Sequence, residues 1–127
     1  MKIELDDNPL GNYRIDSYSR DGLVISETRY TGSVIVMPDS IIDDWPPRCF
    51  ADLAVQHVQT LADLGPEILL LGTGARLRFP EQHILAPLTF GNIGYEIMDT
   101  GAACRAYNFL SAEGRRVVAA LLQISEE

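Results

Sequence analysis

Basic charge is scarce in this chain of 127 residues, which carries nine arginines and a single lysine, Lys2, against 18 acids, for a net charge of −8. A surface this acidic repels the phosphate backbone, so nucleic acid is excluded as a general partner. Without a lysine beyond position 2, a Walker phosphate loop is excluded too, because it needs a Gly-Lys-Ser/Thr ending. Cysteine is equally thin. Cys49 and Cys104 are too few for a disulfide framework and read as reduced thiols. No apolar run approaches the ~20 residues of a membrane span. The opening residues, MKIELDDNPLG, put acids where a secretory signal needs an apolar core. These absences predict a soluble, cytoplasmic, acidic chain with no membrane span. The two histidines and two cysteines lie far apart in sequence, with no C-x2-C or H-x3-H spacing. The acids between Asp39 and Asp44 lack a calcium-loop pattern. No metal and no cofactor is expected.

The length predicts one domain, residues 1–127. Residues 13–37 read as a three-stranded meander. Tyr13–Tyr18 is the first strand, Asp21-Gly22 a hairpin turn, Leu23–Tyr30 the second strand and Ser33–Met37 the third. The third is nearly all apolar, which suits a strand covered on both faces. Asp39–Pro47 reads as an irregular connection with Trp45 against the core, its indole N–H in need of a partner. Phe50, Leu53, Ala54, Val58 and Leu61 recur at helical spacing and predict a helix over 50–64, stopped by Gly65-Pro66. His57 falls on the same stripe, where a partly buried, hydrogen-bonded histidine is the plain reading. Glu67–Leu71 reads as a short strand. Pro80–Leu85 can start a short helix with Pro at its first position. Ile93–Met98 is another strand, Asp99 or Thr100 a cap, and 102–110 a helix that Ser111 continues through Arg115 to Leu122, with a bend at Gly114. The order is β-β-β, α, β, α, β, α. It predicts an α/β domain with a mixed central sheet, helices packed on it, and N-terminal β-hairpins as an edge or flanking layer.

Two stretches carry the candidate chemistry. In EILLLGTGARLRFP, Gly72 and Gly74 match the first two glycines of a dinucleotide fingerprint, but Leu77 stands at the third and no helix follows directly. The nucleotide reading fails on those residues. The loop still ends a strand, where open α/β sheets place ligands. Its backbone N–H groups around Gly72, Thr73 and Gly74 either form an anion nest with Arg76 and Arg78 beside it, or make a tight turn with two solvated arginines. The second stretch, MDTGAACRAYN, joins a strand to a helix at the same kind of edge. There Arg105 can join the other two arginines, with Thr100 beside them, while Tyr107 and Asn108 are either packing and capping residues or polar contacts to a partner. Cys104 is either a packed small side chain or a thiol activated by the helix N-terminus, and no histidine stands near it in sequence to act as its base. No complete catalytic set is present, so enzymatic activity is not assigned.

LLLGTG, then Arg-x-Arg-Phe, then IGYEIMDTGAACRAYNFLSAEGRRVVAALL, together with a slightly longer version of a Tyr-x-x-Gly hairpin at Tyr18–Gly22, resemble a domain-of-unknown-function family. That family has the Mth-nine-three-eight-like fold, and its relatives include mitochondrial complex I assembly factors and an adipogenesis-associated protein. The resemblance covers nearly the whole chain. It implies a three-layer α/β arrangement around a mixed central sheet. It also implies that the glycine loop and the Met98–Asn108 segment lie side by side as a candidate cleft, and it supplies no catalytic residue. Two functions follow as expectations. One is a non-catalytic interaction or assembly-type factor with an unknown protein partner. The other is a small-anion binder, or an enzyme, using Gly72, Thr73, Gly74, Arg76, Arg78, Thr100, Cys104, Arg105 and Asn108.

Overall fold

The computed structural model describes residues 12–125. The chain runs β1 (Ile15–Ser19), β2 (Gly22–Ile25), β3 (Thr28–Tyr30), β4 (Val34–Met37), β5 (Ser40–Ile42), α1 (Val55–Asp63), β6 (Ile68–Gly72), α2 (Gln82–Phe90), β7 (Gly94–Met98), α3 (Thr100–Ala112) and β8 (Val117–Leu121). A five-stranded mixed sheet, ordered β5-β4-β8-β6-β7, forms the middle layer, and β1-β2-β3 form a separate antiparallel sheet. β6 pairs in parallel with both β7 and β8.

Alternation along the central strands defines the layers, because successive strand side chains point to opposite faces. Leu70, Val117, Ala119 and Leu121 pack with Ala103, Cys104 and Tyr107 of α3 and with Leu23, Ile25 and Tyr30 of the small sheet. Their neighbours Leu69, Leu71, Val118 and Ala120 face the other way, into Val58 and Leu61 of α1, Leu85 and Leu88 of α2, and Trp45. The expected three-layer α/β arrangement with a mixed central sheet is therefore the observed one.

The structure corrects the element reading in several places. The segment after Gly114 is not helix but β8, the central strand of the sheet. Gly114, with φ of +79°, closes α3 rather than bending it. Val117–Leu121 is buried throughout, and a strand covered on both faces shows no period that separates it from buried helix. Its alanines serve packing: Ala119 and Ala120 have no exposed surface. Ser33–Met37 does not finish the meander. It leaves the small sheet and pairs with β8. The third small strand comes from splitting Leu23–Tyr30 at Ser26-Glu27, two residues with positive φ. Asp16 Oδ2 accepts the Glu27 N–H at 3.0 Å and supports this turn. Within the connection read as irregular, Ser40–Ile42 is a strand antiparallel to β4.

Around α1 the expected helix over 50–64 is two pieces, a single 3-10 turn at Phe50–Asp52 and α1 itself. His57 Nδ1 accepts the Ala54 N–H at 3.0 Å, a structural bond at the helix start. The Trp45 indole finds its partner in the His57 carbonyl at 3.3 Å. Gly65 stands one residue past the cap of α1 with φ of +65°, as a helix terminator does. α2 starts two residues later than Pro80, with Glu81 as its cap.

Candidate functional site

β6 and β7 end side by side, and α3 begins where β7 stops. The two stretches singled out in the sequence therefore meet. Thr100, at the first position of α3 and with no exposed surface, joins them. Its Oγ1 accepts the Gly74 N–H at 2.8 Å and donates to the Leu122 carbonyl at 2.7 Å. Its own N–H donates to the Gly74 carbonyl at 2.9 Å. One threonine thus ties the end of β6 and the end of β8 to the start of α3. Gly72 is required by closeness. A Cβ there would stand 2.8 Å from Thr100 Oγ1 and 3.0 Å from its Cα. Gly74 is required by conformation, with φ of +101°.

The loop amides are consumed inside this junction. The Thr73 N–H donates to the Met98 carbonyl at 2.9 Å, and the Gly74 N–H goes to Thr100. Gly72, Thr73, Gly74 and Thr100 are all buried. The side-by-side arrangement is as expected, but these donors face protein acceptors and not an open nest. The arginines are not gathered over it. The Arg78 guanidinium lies 5.4 Å from the centroid of the Phe50 ring, and Phe50 packs with the α1–α2 side of the sheet. Arg105 lies on α3, on the opposite face, 5.9 Å from the Tyr18 ring centroid, with Nη1 donating to Tyr18 Oη. Arg76 is exposed. Each of Arg78 and Arg105 thus has an aromatic neighbour in a different layer.

Cys104 is buried, with 1% of its surface exposed. Burial pushes its thiol from 9.0 up to about 12, the nearby Arg105 opposing the rise only in part. That is the reverse of an activated thiolate, so the packed reading holds. Asp99, not Thr100, supplies the side-chain cap of α3: Oδ1 accepts the Ala102 N–H at 2.9 Å. Asn108 is also structural. It accepts the Ile15 N–H at 2.9 Å and donates to the Ile15 carbonyl at 2.8 Å, standing in for a strand neighbour of β1. Tyr107 Oη donates to the Tyr13 carbonyl at 2.9 Å, and its buried phenol is pushed well above its ordinary range. The second half of α3 therefore clamps residues 13–15 to the core.

Two features escaped the sequence reading. A groove of about 730 Å³ runs between α1 and α2, lined by Val55, Ala62, Pro87, Phe90 and Ile93. Gly65, Pro66 and Asn92 also line it, so it opens at the ends where β6 and β7 begin, away from the glycine loop. Phe90 beside it is 88% exposed. The other is Tyr18, whose ring lies against Gly101; its Cε1 would stand 2.9 Å from a Cβ there. No sequence signal links Tyr18 to α3 across so long a separation. Phe90, followed at once by Gly91, carried a weak one, as an aromatic residue at a helix end. Among the described residues no group of three or more His, Cys, Asp or Glu side chains converges. No helix among them is long and apolar enough to cross a membrane.

The chain is similar to NADH dehydrogenase [ubiquinone] 1 alpha subcomplex assembly factor 3 of Bos taurus, 35% identical over 118 residues that make up 91% of this chain and 63% of that protein. It thus spans about three-fifths of the length of that relative. A crystal structure of a Bordetella parapertussis protein superposes with a TM-score of 0.82 at 36% identity, covering 88% of this chain and 96% of the other. The solution structure of a Bordetella pertussis protein, described as a Mth938-like domain, covers 100% of this chain and 95% of its own at 30% identity and a TM-score of 0.80. Residues 15–122 match the family described as protein of unknown function (DUF498/DUF598), and the chain belongs to that family.

Proposed function

We propose that this chain is a non-catalytic, assembly-type factor: it binds protein subunits while a larger complex is built. The observation that carries the reading is the closed junction at Thr100. The strand-end loop, where an α/β enzyme would place its ligand, has its Thr73 and Gly74 amides bonded to protein acceptors and its threonine buried. Cys104, the candidate nucleophile beside it, is packed and held protonated. The similarity to relatives named as NADH dehydrogenase assembly factors supports the same reading and suggests the kind of complex. The test is gene disruption followed by native-gel separation of the respiratory NADH dehydrogenase. The proposal expects partial assemblies to accumulate and the wild-type chain to restore the complete enzyme. Normal assembly in the disrupted cells would overturn it.

A further inference from the structure

Ala75–Phe79 holds apolar and cationic side chains out together. Leu77 is 49% and Phe79 70% exposed, and Arg76 beside them is exposed as well. Exposed large apolar groups close together in the chain, with a cation between them, are the composition of an interaction surface. The charge here also runs against that of the chain. Acids outnumber bases 18 to 10 overall, yet no acid occurs between Glu67 and Glu81, where Arg76 and Arg78 lie.

The segment is fixed in place. The Thr73 hydroxyl donates to the Arg76 carbonyl at 2.7 Å and accepts the Arg78 N–H at 3.2 Å. Arg78 stacks its guanidinium over Phe50, and Pro80 is buried at the far end. A partner meeting this arm loses little entropy in ordering it, which favours binding. Arginine and aromatic side chains are also the residue types that dominate interface energies.

We propose that the Arg76–Phe79 arm is the docking surface for an acidic, apolar segment of a protein partner. The partner's carboxylates meet the fork of Arg76 while its apolar side chains cover Leu77 and Phe79. The proposal rests on the assembly-type reading and names the surface that serves it. A membrane occupant fits less well. Cations near an anionic lipid surface contribute about 1 kcal/mol each, and here two would have to hold a chain of net charge −8 against like charge.

The test pans a random peptide library against the full chain and measures selected peptides by fluorescence anisotropy. The expected peptides combine Asp or Glu with Leu, Phe or Trp. Their affinity falls at least about tenfold in Arg76→Glu and in Phe79→Ser, and weakens between about 50 and about 300 mM salt. Both substitutions are at exposed sites, and thermal unfolding confirms that the variants fold. Selected peptides without acids, or peptides that bind both variants as tightly as they bind wild type, would overturn the proposal. So would the finding that Phe79→Ser abolishes self-association in sedimentation, or binding to phosphatidylglycerol vesicles, while peptide binding is unchanged. Peptide binding that depends on the arm, in a chain whose disruption leaves assembly normal, would keep the surface and overturn only the assembly reading.

Discussion

Replacing Thr100 by valine tests the junction at its centre. The change keeps the shape of the side chain and removes the hydroxyl. Two buried groups then lose their partner at once: the Gly74 N–H at 2.8 Å and the Leu122 carbonyl at 2.7 Å. Each buried polar group left unsatisfied costs about 1–3 kcal/mol, so the variant loses about 2–6 kcal/mol. For a chain of this size, each kcal/mol lowers Tm by roughly 3–6 °C, so a loss in the middle of that range, about 4 kcal/mol, gives a drop of roughly 12–24 °C. Thr100→Ser is the control. It keeps the hydroxyl and gives up one methyl group, about 1 kcal/mol. Urea and thermal unfolding, followed by circular dichroism, rank the three proteins. The reasoning is refuted if Thr100→Val unfolds within about 0.5 kcal/mol of wild type, the scale of an inert surface change, or if Thr100→Ser is the worse variant.

Three further predictions concern α3. Because burial raises the Cys104 thiol from 9.0 to about 12, the folded state holds a proton there that the unfolded chain gives up near its ordinary value. The stabilisation is whole below that value and declines as pH rises from about 9 toward 12, by up to about 1.4 kcal/mol per unit. Urea unfolding at stepped alkaline pH will show this decline, and a flat profile would contradict it. In the folded protein near neutral pH, a thiol reagent will label the partly exposed Cys49 faster than the buried Cys104. Asn108→Ala removes both bonds to Ile15 and will cost about 2–3 kcal/mol. Hydrogen exchange will localise the loss to residues around Ile15; protection equal to wild type there would show that the clamp is unimportant.

Much of the fold was legible because local chemistry and tertiary role agree. The Asp21-Gly22 turn, the Gly65-Pro66 stop, the need of the Trp45 indole for a partner and the strands read at Glu67–Leu71 and Ile93–Met98 all follow from nearby residues. β8 was not legible. RRVVAALL has good helix formers, and its strand character comes only from β4 and β6, which flank it in space. The split at Ser26-Glu27 was hidden because neither residue is glycine, though both take positive φ. At the candidate site, the family resemblance implied that the Gly72–Gly74 loop lies beside the Met98–Asn108 segment, but not that Thr100 joins them or where the loop's hydrogen bonds go. The Leu122 carbonyl that Thr100 satisfies belongs to a segment read as helix. The expected gathering of Arg105 with Arg76 and Arg78 is not found: Arg78 lies over Phe50 and Arg105 beside Tyr18. Their aromatic neighbours, Phe50 and Tyr18, come from two different layers, which no spacing along the chain records.

The central claim is that this chain works by holding protein and that the surface next to the closed junction does the holding. The most direct measurement returns three alleles to cells lacking the chain: wild type, Arg76→Glu with Phe79→Ser, and Thr100→Ser. Native gels then report the complete respiratory NADH dehydrogenase. The account predicts that wild type and Thr100→Ser restore it, while the doubly substituted arm, equally folded and abundant, does not. Full restoration by the arm variant would contradict the account.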